Sequence, residues 1–120
     1  MKDNTNQQYE KTVNQFLTKS TEIKEGESKG WADKTDCGAG IFAIRKQGKL
    51  FVYRNQCPHR GLPLEWIENQ FLDSSGELIQ CSSHGALFTI EQGRCIAGPC
   101  VGQTLTPIEH EERDGFIFIK

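Results

Sequence analysis

Two short stretches of this chain carry residue types that bind soft metals: Cys57-Pro58-His59-Arg60-Gly61 and Cys81-Ser82-Ser83-His84-Gly85. Each offers one thiolate and one imidazole, separated by one or two residues and followed closely by glycine. So short a spacing suits a tight turn that aims both side chains at one point. Twenty-one residues, Arg60 to Gln80, lie between the two ligand pairs, so two separate loops would grip a small inorganic object from either side. A mononuclear zinc site also accepts two cysteines and two histidines, but its usual knuckles pair like ligands, as C-x2–4-C and H-x3–5-H. Here each knuckle mixes the two. That mixture fits a two-iron cluster with unlike irons, one on Cys57 and Cys81 and the other on His59 and His84. Zinc stays as the alternative. A purely structural reading, with buried cysteines and core histidines, needs two similar coincidences in one short chain.

On "CPHRG" and "CSSHGALF" the chain resembles the Rieske family, in which two histidines replace two cysteines on one iron of a [2Fe–2S] centre. Looser likeness runs from about Leu17 to the C-terminus. The resemblance implies one [2Fe–2S] cluster on Cys57, His59, Cys81 and His84, and histidines bound through Nδ1 with their outer edges toward solvent. His59 and His84 are then the exit for electrons, with Leu62, Pro63 and Leu64 in a rim where a partner docks. Gly98-Pro99 matches the proline-containing loop that covers the cluster in relatives. Two ferric ions, two sulfides and two thiolates sum to a neutral core when the other ligands are neutral imidazoles, so an electron is added more easily than to a four-thiolate core. Gly61 and Gly85, lacking a Cβ, let the backbone approach the bridging sulfides and offer N–H donors.

In the family's high-potential branch, the residue two places after the second histidine is Ser and the one four places after is Tyr, and their hydroxyls donate to cluster sulfur. Here those positions are Ala86 and Phe88. The branch also ties its loops with a disulfide between the positions of Leu62 and Ser83, and neither is cysteine. Each difference points to a low potential.

A chain of 120 residues holds one modest core. The formal net charge of −2 supplies no basic field for nucleic acid or an anionic membrane. No apolar run reaches the length of a membrane span, and Met1 to Lys11 lacks the apolar centre of a signal peptide. The expectation is a cytoplasmic protein. Of the five cysteines, Cys37, Cys95 and Cys100 are left over, and reduced buried thiols are the default for them. Cys95 and Cys100, in "GRCIAGPC", lie just after the second ligand loop and are placed to pair or brace it.

The elements that must position these groups read as strands. Residues 1–16 are polar and form a leader, with Val13, Phe16 and Leu17 at the i, i+3, i+4 spacing of a brief helical face. The Rieske domain is expected over 17–120. "EIKEGESKGW" turns around Gly26 into a strand ending on Trp31. "GIFAIR" and "KLFVYR" form a hairpin through "KQGK", and the second of these strands leads to Cys57. "ELIQC" delivers Cys81, "ALFTI" carries the chain away, and "GFIFIK" closes a final hairpin through Arg113-Asp114-Gly115. In the inter-loop stretch, Trp66, Ile67, Phe71 and Leu72 supply apolar surface, with a short helix around Leu64 to Asn69. The fold class is all-β: an antiparallel sandwich or barrel with a small cluster-binding subdomain built from the two ligand loops.

The leading functional reading is a soluble low-potential ferredoxin of the Rieske type, passing single electrons from an NAD(P)H-dependent reductase to an oxygenase-type acceptor. It is an electron carrier, not an enzyme. A terminal oxygenase needs a further iron on two histidines and a carboxylate, and only His110 is left uncommitted. The other readings are a small subunit resembling that of cytoplasmic nitrite reductases, a structural zinc domain and a redox sensor.

Overall fold

The computed structural model describes residues 15–32, 40–58, 63–65, 67–83 and 85–120. Among them are nine strands: β1 (Gln15–Lys19), β2 (Ser28–Trp31), β3 (Ile41–Lys46), β4 (Lys49–Arg54), β5 (Leu78–Gln80), β6 (Leu87–Thr89), β7 (Cys95–Ala97), β8 (His110–Arg113) and β9 (Phe116–Ile119). The one helical element among the described residues is a 3-10 turn over Ser20–Glu22. The strands form three antiparallel sheets, ordered β1-β9-β8, β2-β3-β4 and β5-β6-β7. The chain divides into two units, the first sheet belonging to one and the other two to Ile23–Ile108.

In the terminal unit, Phe16 and Leu17 lie on β1 rather than on the helical face expected of them; Val13 is outside the described residues. Two residues of apolar spacing fit either period, and aromatic pairing decides for the strand. Phe16 packs edge-on against Phe116 and Phe118, with ring centroids 6.0 and 6.1 Å apart, a cross-strand arrangement that a helix at this position would forfeit. The β8–β9 turn uses Asp114 and Gly115 at φ 55° and 83°, the two left-handed residues that match the twist of a two-residue hairpin.

In the larger unit, β3 and β4 are joined by the same device at Gln47 and Gly48, φ 54° and 78°. The Glu25 carboxylate accepts the N–H groups of both turn residues, which hold it below the usual carboxylate range. Ile41, Phe42, Ala43 and Ile44 are all buried, so β3 is covered on both faces. Its Phe42 stacks on Phe71 at 4.3 Å and 4°. Their core continues through Ile79, Phe88, Ile90 and Leu105 to Cys57, Cys81, Cys95 and Cys100. Tyr53 of β4 joins the two sheets by donating its hydroxyl to the Ile90 carbonyl at 2.6 Å.

Among the described residues of the inter-loop stretch, turns stand where a short helix is expected over Leu64 to Asn69; Trp66 lies outside them. The Gln70 N–H closes a turn on the Ile67 carbonyl at 3.0 Å, and Asn69 sits at φ 66°, outside helical space. Tertiary bonds outweigh local propensity here. In that conformation Asn69 accepts the Ser28 hydroxyl on its carbonyl (2.7 Å) and the Gly30 N–H on its Oδ1 (2.8 Å). Phe71 is fully buried, but Ile67 is 61% exposed and contributes little to the core.

Candidate metal centre

The first ligand loop leaves the end of β4. The Asn55 N–H donates to the Gly40 carbonyl at 3.0 Å, and the Gln56 N–H to Arg54 at 2.9 Å. The Asn55 side chain then spans the loop: its Oδ1 accepts the Leu64 N–H and its Nδ2 donates to Glu65, both at 2.9 Å. Residues on either side of the ligand turn are thereby pinned to one amide group. Cys57 is buried. His59, Arg60, Gly61 and Leu62 lie outside the described residues, as do His84, Trp66 and Cys37.

The second loop is the connection between β5 and β6. The Cys81 N–H donates to the Ala86 carbonyl and the Gly85 N–H to the Cys81 carbonyl, each at 2.8 Å. Gly85 has φ 71°, which disfavours any residue with a Cβ, and a Cβ placed there would meet no protein atom within 4 Å. The two loops are joined directly by the Ser82 N–H donating to the Leu64 carbonyl at 2.8 Å. Leu64 is fully buried, which corrects its expected place in an exposed rim. Its backbone is held by Asn55 and Ser82, and its side chain packs in the core. Pro63 is exposed.

A third segment, Gly98-Pro99-Cys100, follows β7. A Cβ on Gly98 would come within 2.7 Å of the Ala86 Cα, and Gly98 adopts φ 100°. Only glycine fits so close to the second loop. Cys95 and Cys100 are both buried, with their Sγ atoms 3.0 Å apart, and the Cys95 thiol also donates to the Ala97 carbonyl at 3.2 Å. Burial, and then the Cys95 and Cys57 sulfurs beside it, push the Cys100 thiol up to about 12.

Sequence reasoning did not single out Asn55. An asparagine two residues before a ligand carries no signature beyond its general capacity to bond nearby backbone. Among the described residues no group of three or more metal-ligating side chains is brought together, while Cys57 and Cys81 enter one buried cluster from loops bonded to each other. Two buried thiols on braced loops, with a Cβ-free backbone at Gly85, suit an iron–sulfur group better than a hard cation.

Several solved structures share this fold. A chain in the reduced complex between oxygenase and ferredoxin in carbazole 1,9a-dioxygenase aligns with a TM-score of 0.73 and 26% identity, covering 88% of this chain and 27% of that one. This chain thus spans little more than a quarter of that relative. The ferredoxin of carbazole 1,9a-dioxygenase from Nocardioides aromaticivorans IC177 aligns at 0.71 and 18% identity, covering 90% of this chain and 97% of that one. The Sphingomonas yanoikuyae B1 ferredoxin aligns at 0.69 and 24%, covering 90% and 98%. No curated protein matches the sequence. The family model for the Rieske [2Fe-2S] domain matches residues 14–109, a span that contains both ligand loops and the segment packed against them. On that match, the chain belongs to the Rieske [2Fe-2S] domain family.

Proposed function

We propose that this chain is a soluble, cytoplasmic, low-potential ferredoxin that passes single electrons from an NAD(P)H-dependent reductase to a terminal oxygenase or similar redox enzyme. The carrying observation is the ligand inventory. Cys57, His59, Cys81 and His84 would hold one [2Fe–2S] cluster, and His110 is the one remaining histidine in the sequence. A two-histidine, one-carboxylate iron site for oxygen chemistry cannot be assembled from that remainder. The family assignment implies the cluster, and the fold is shared over nearly its whole length with the ferredoxin of carbazole 1,9a-dioxygenase, whose name pairs it with an oxygenase. No helix among the described residues is long and apolar enough to cross a membrane.

When bound, the cluster supplies a one-electron site with a neutral oxidised core. The chain's own residues set its surroundings. Asn55 and the Ser82–Leu64 bond hold the two thiol-bearing loops in register. Ala86 and Phe88, both buried, present no hydroxyl to stabilise added charge.

Protein purified without oxygen should contain about two irons and two sulfides per chain, and after reduction should show the low average g-value of mixed His/Cys ligation. Its midpoint should fall near the low end of the Rieske range, about −150 mV. One stoichiometric zinc without iron would overturn the cluster. A midpoint above about +100 mV would overturn the low-potential assignment.

A further inference from the structure

We propose that Cys95 and Cys100 form a redox-active dithiol that closes reversibly to an intrachain disulfide by exchange with a low-molecular-weight disulfide. The two sulfurs are 3.0 Å apart, inside ordinary non-bonded contact, and closing to a covalent bond of about 2.05 Å requires roughly 1 Å of movement. Only Ile96, Ala97, Gly98 and Pro99 separate them. Gly98, at φ 100°, and Pro99 form the bend that returns Cys100 to Cys95.

Access comes from the position of Cys100. Its sulfur is buried, while Gly98, Pro99, Val101, Gly102, Gln103 and Thr104 around it are exposed. The turn is held by the Gln103 N–H to Cys100 carbonyl bond at 2.9 Å, the Cys95 N–H to Gln103 carbonyl bond at 2.9 Å and the Gly102 N–H to Cys95 carbonyl bond at 3.3 Å. A short turn whose flanking residues are exposed opens locally without unfolding the sheets. A buried structural cysteine would have no neighbouring thiol to resolve an adduct. Here the second sulfur is already in place.

The exchange balances in two steps. The thiolate of one cysteine attacks a sulfur of the disulfide R–S–S–R, forming a mixed disulfide and expelling RS⁻, which takes up the released proton as RSH. The second cysteine then attacks the protein sulfur of that mixed disulfide, forming the Cys95–Cys100 bond and releasing the second RSH. The protein loses two electrons and two protons, and the small disulfide gains both. Ring closure requires only these two thiols, so the crosslink and the iron content answer separate questions.

The test uses cluster-loaded protein incubated with glutathione disulfide while the cluster's visible absorbance is followed, then alkylated under denaturing conditions and mapped by mass spectrometry. The expected result is a Cys95–Cys100 crosslinked peptide lighter by two hydrogens, loss of alkylation at both positions, unchanged cluster absorbance, and full reversal by dithiothreitol. Cys95→Ala should leave a stable glutathione adduct on Cys100, since the other sulfur beside it, that of Cys57, would be held by the cluster. The wild-type map decides alone if that variant does not fold. Full alkylation of both cysteines with the cluster intact, a persistent glutathione adduct on the wild type, or a crosslink from either cysteine to Cys37 would each overturn the proposal.

Discussion

Ala86 and Phe88 are the two positions where one oxygen atom should change the chemistry most. Both side chains are buried, and Ala86 lies against the Gly98 backbone. A hydroxyl added there either finds a sulfur acceptor or is left unsatisfied, at a cost of about 1–3 kcal/mol. Installing Ala86→Ser and Phe88→Tyr together should raise the midpoint in a redox titration while stability is largely kept. A fall in denaturation midpoint with no change in potential would show that no cluster sulfur accepts these bonds. Asn55 makes a different residue-scale case. Asn55→Ala removes both bonds that span the first loop, leaving the part-buried Leu64 N–H without its acceptor, for a loss of about 1–2 kcal/mol. Iron should then be lost faster to a chelator than from wild type, and unfolding in urea should begin earlier.

At the scale of elements, Tyr53 ties β4 to the turn that follows β6. Its hydroxyl donates to Ile90, and its ring lies where a Cβ on Gly93 would stand, at 2.7 Å. Burial, with a smaller contribution from the Glu91 charge, pushes the hydroxyl from its ordinary 10 up to about 12. The folded state therefore holds this proton more tightly than the unfolded chain. Tyr53's contribution is whole below pH 10 and is lost as pH rises toward 12. Tyr53→Phe should cost about 1 kcal/mol near neutral pH and flatten the fall in stability between pH 10 and 12, as urea titrations across that window would show. These elements were unevenly legible in the sequence. Gln47-Gly48 and Asp114-Gly115 announced their hairpins because few residues accept the required dihedrals, and the strands before Cys57 and Cys81 followed from their apolar, β-branched composition. What stayed hidden was decided by distant partners. Asn69 reaches β2 across some forty residues of chain, and Phe16 finds its aromatic neighbours at the opposite terminus. The cysteine motifs were readable because ligand chemistry restricts residue type, whereas Asn55 was not, because many residues can brace a loop.

For the whole molecule, staying dispersed depends on how the sheet edges are covered, and the β2-β3-β4 sheet bears on that. β2 is its outer strand on one side, and the Gly30 N–H on that outer side is taken by the Asn69 side chain. On the other side, Arg54 donates to Thr106 and Ile108 to Val52, each at 2.9 Å, so the segment after β7 covers β4. Both margins are occupied by the chain itself. The inter-loop stretch thus acts as a guard against strand addition, the route by which exposed sheet edges recruit other copies. Asn69→Ala should strip that guard from one margin only. In sedimentation velocity, the variant should self-associate with rising concentration while wild type does not. If Asn69→Ala sediments like wild type at every concentration, the margin is protected by something other than this amide. In evolutionary terms, the loop between the two ligand motifs would then have been retained for solubility as much as for the metal.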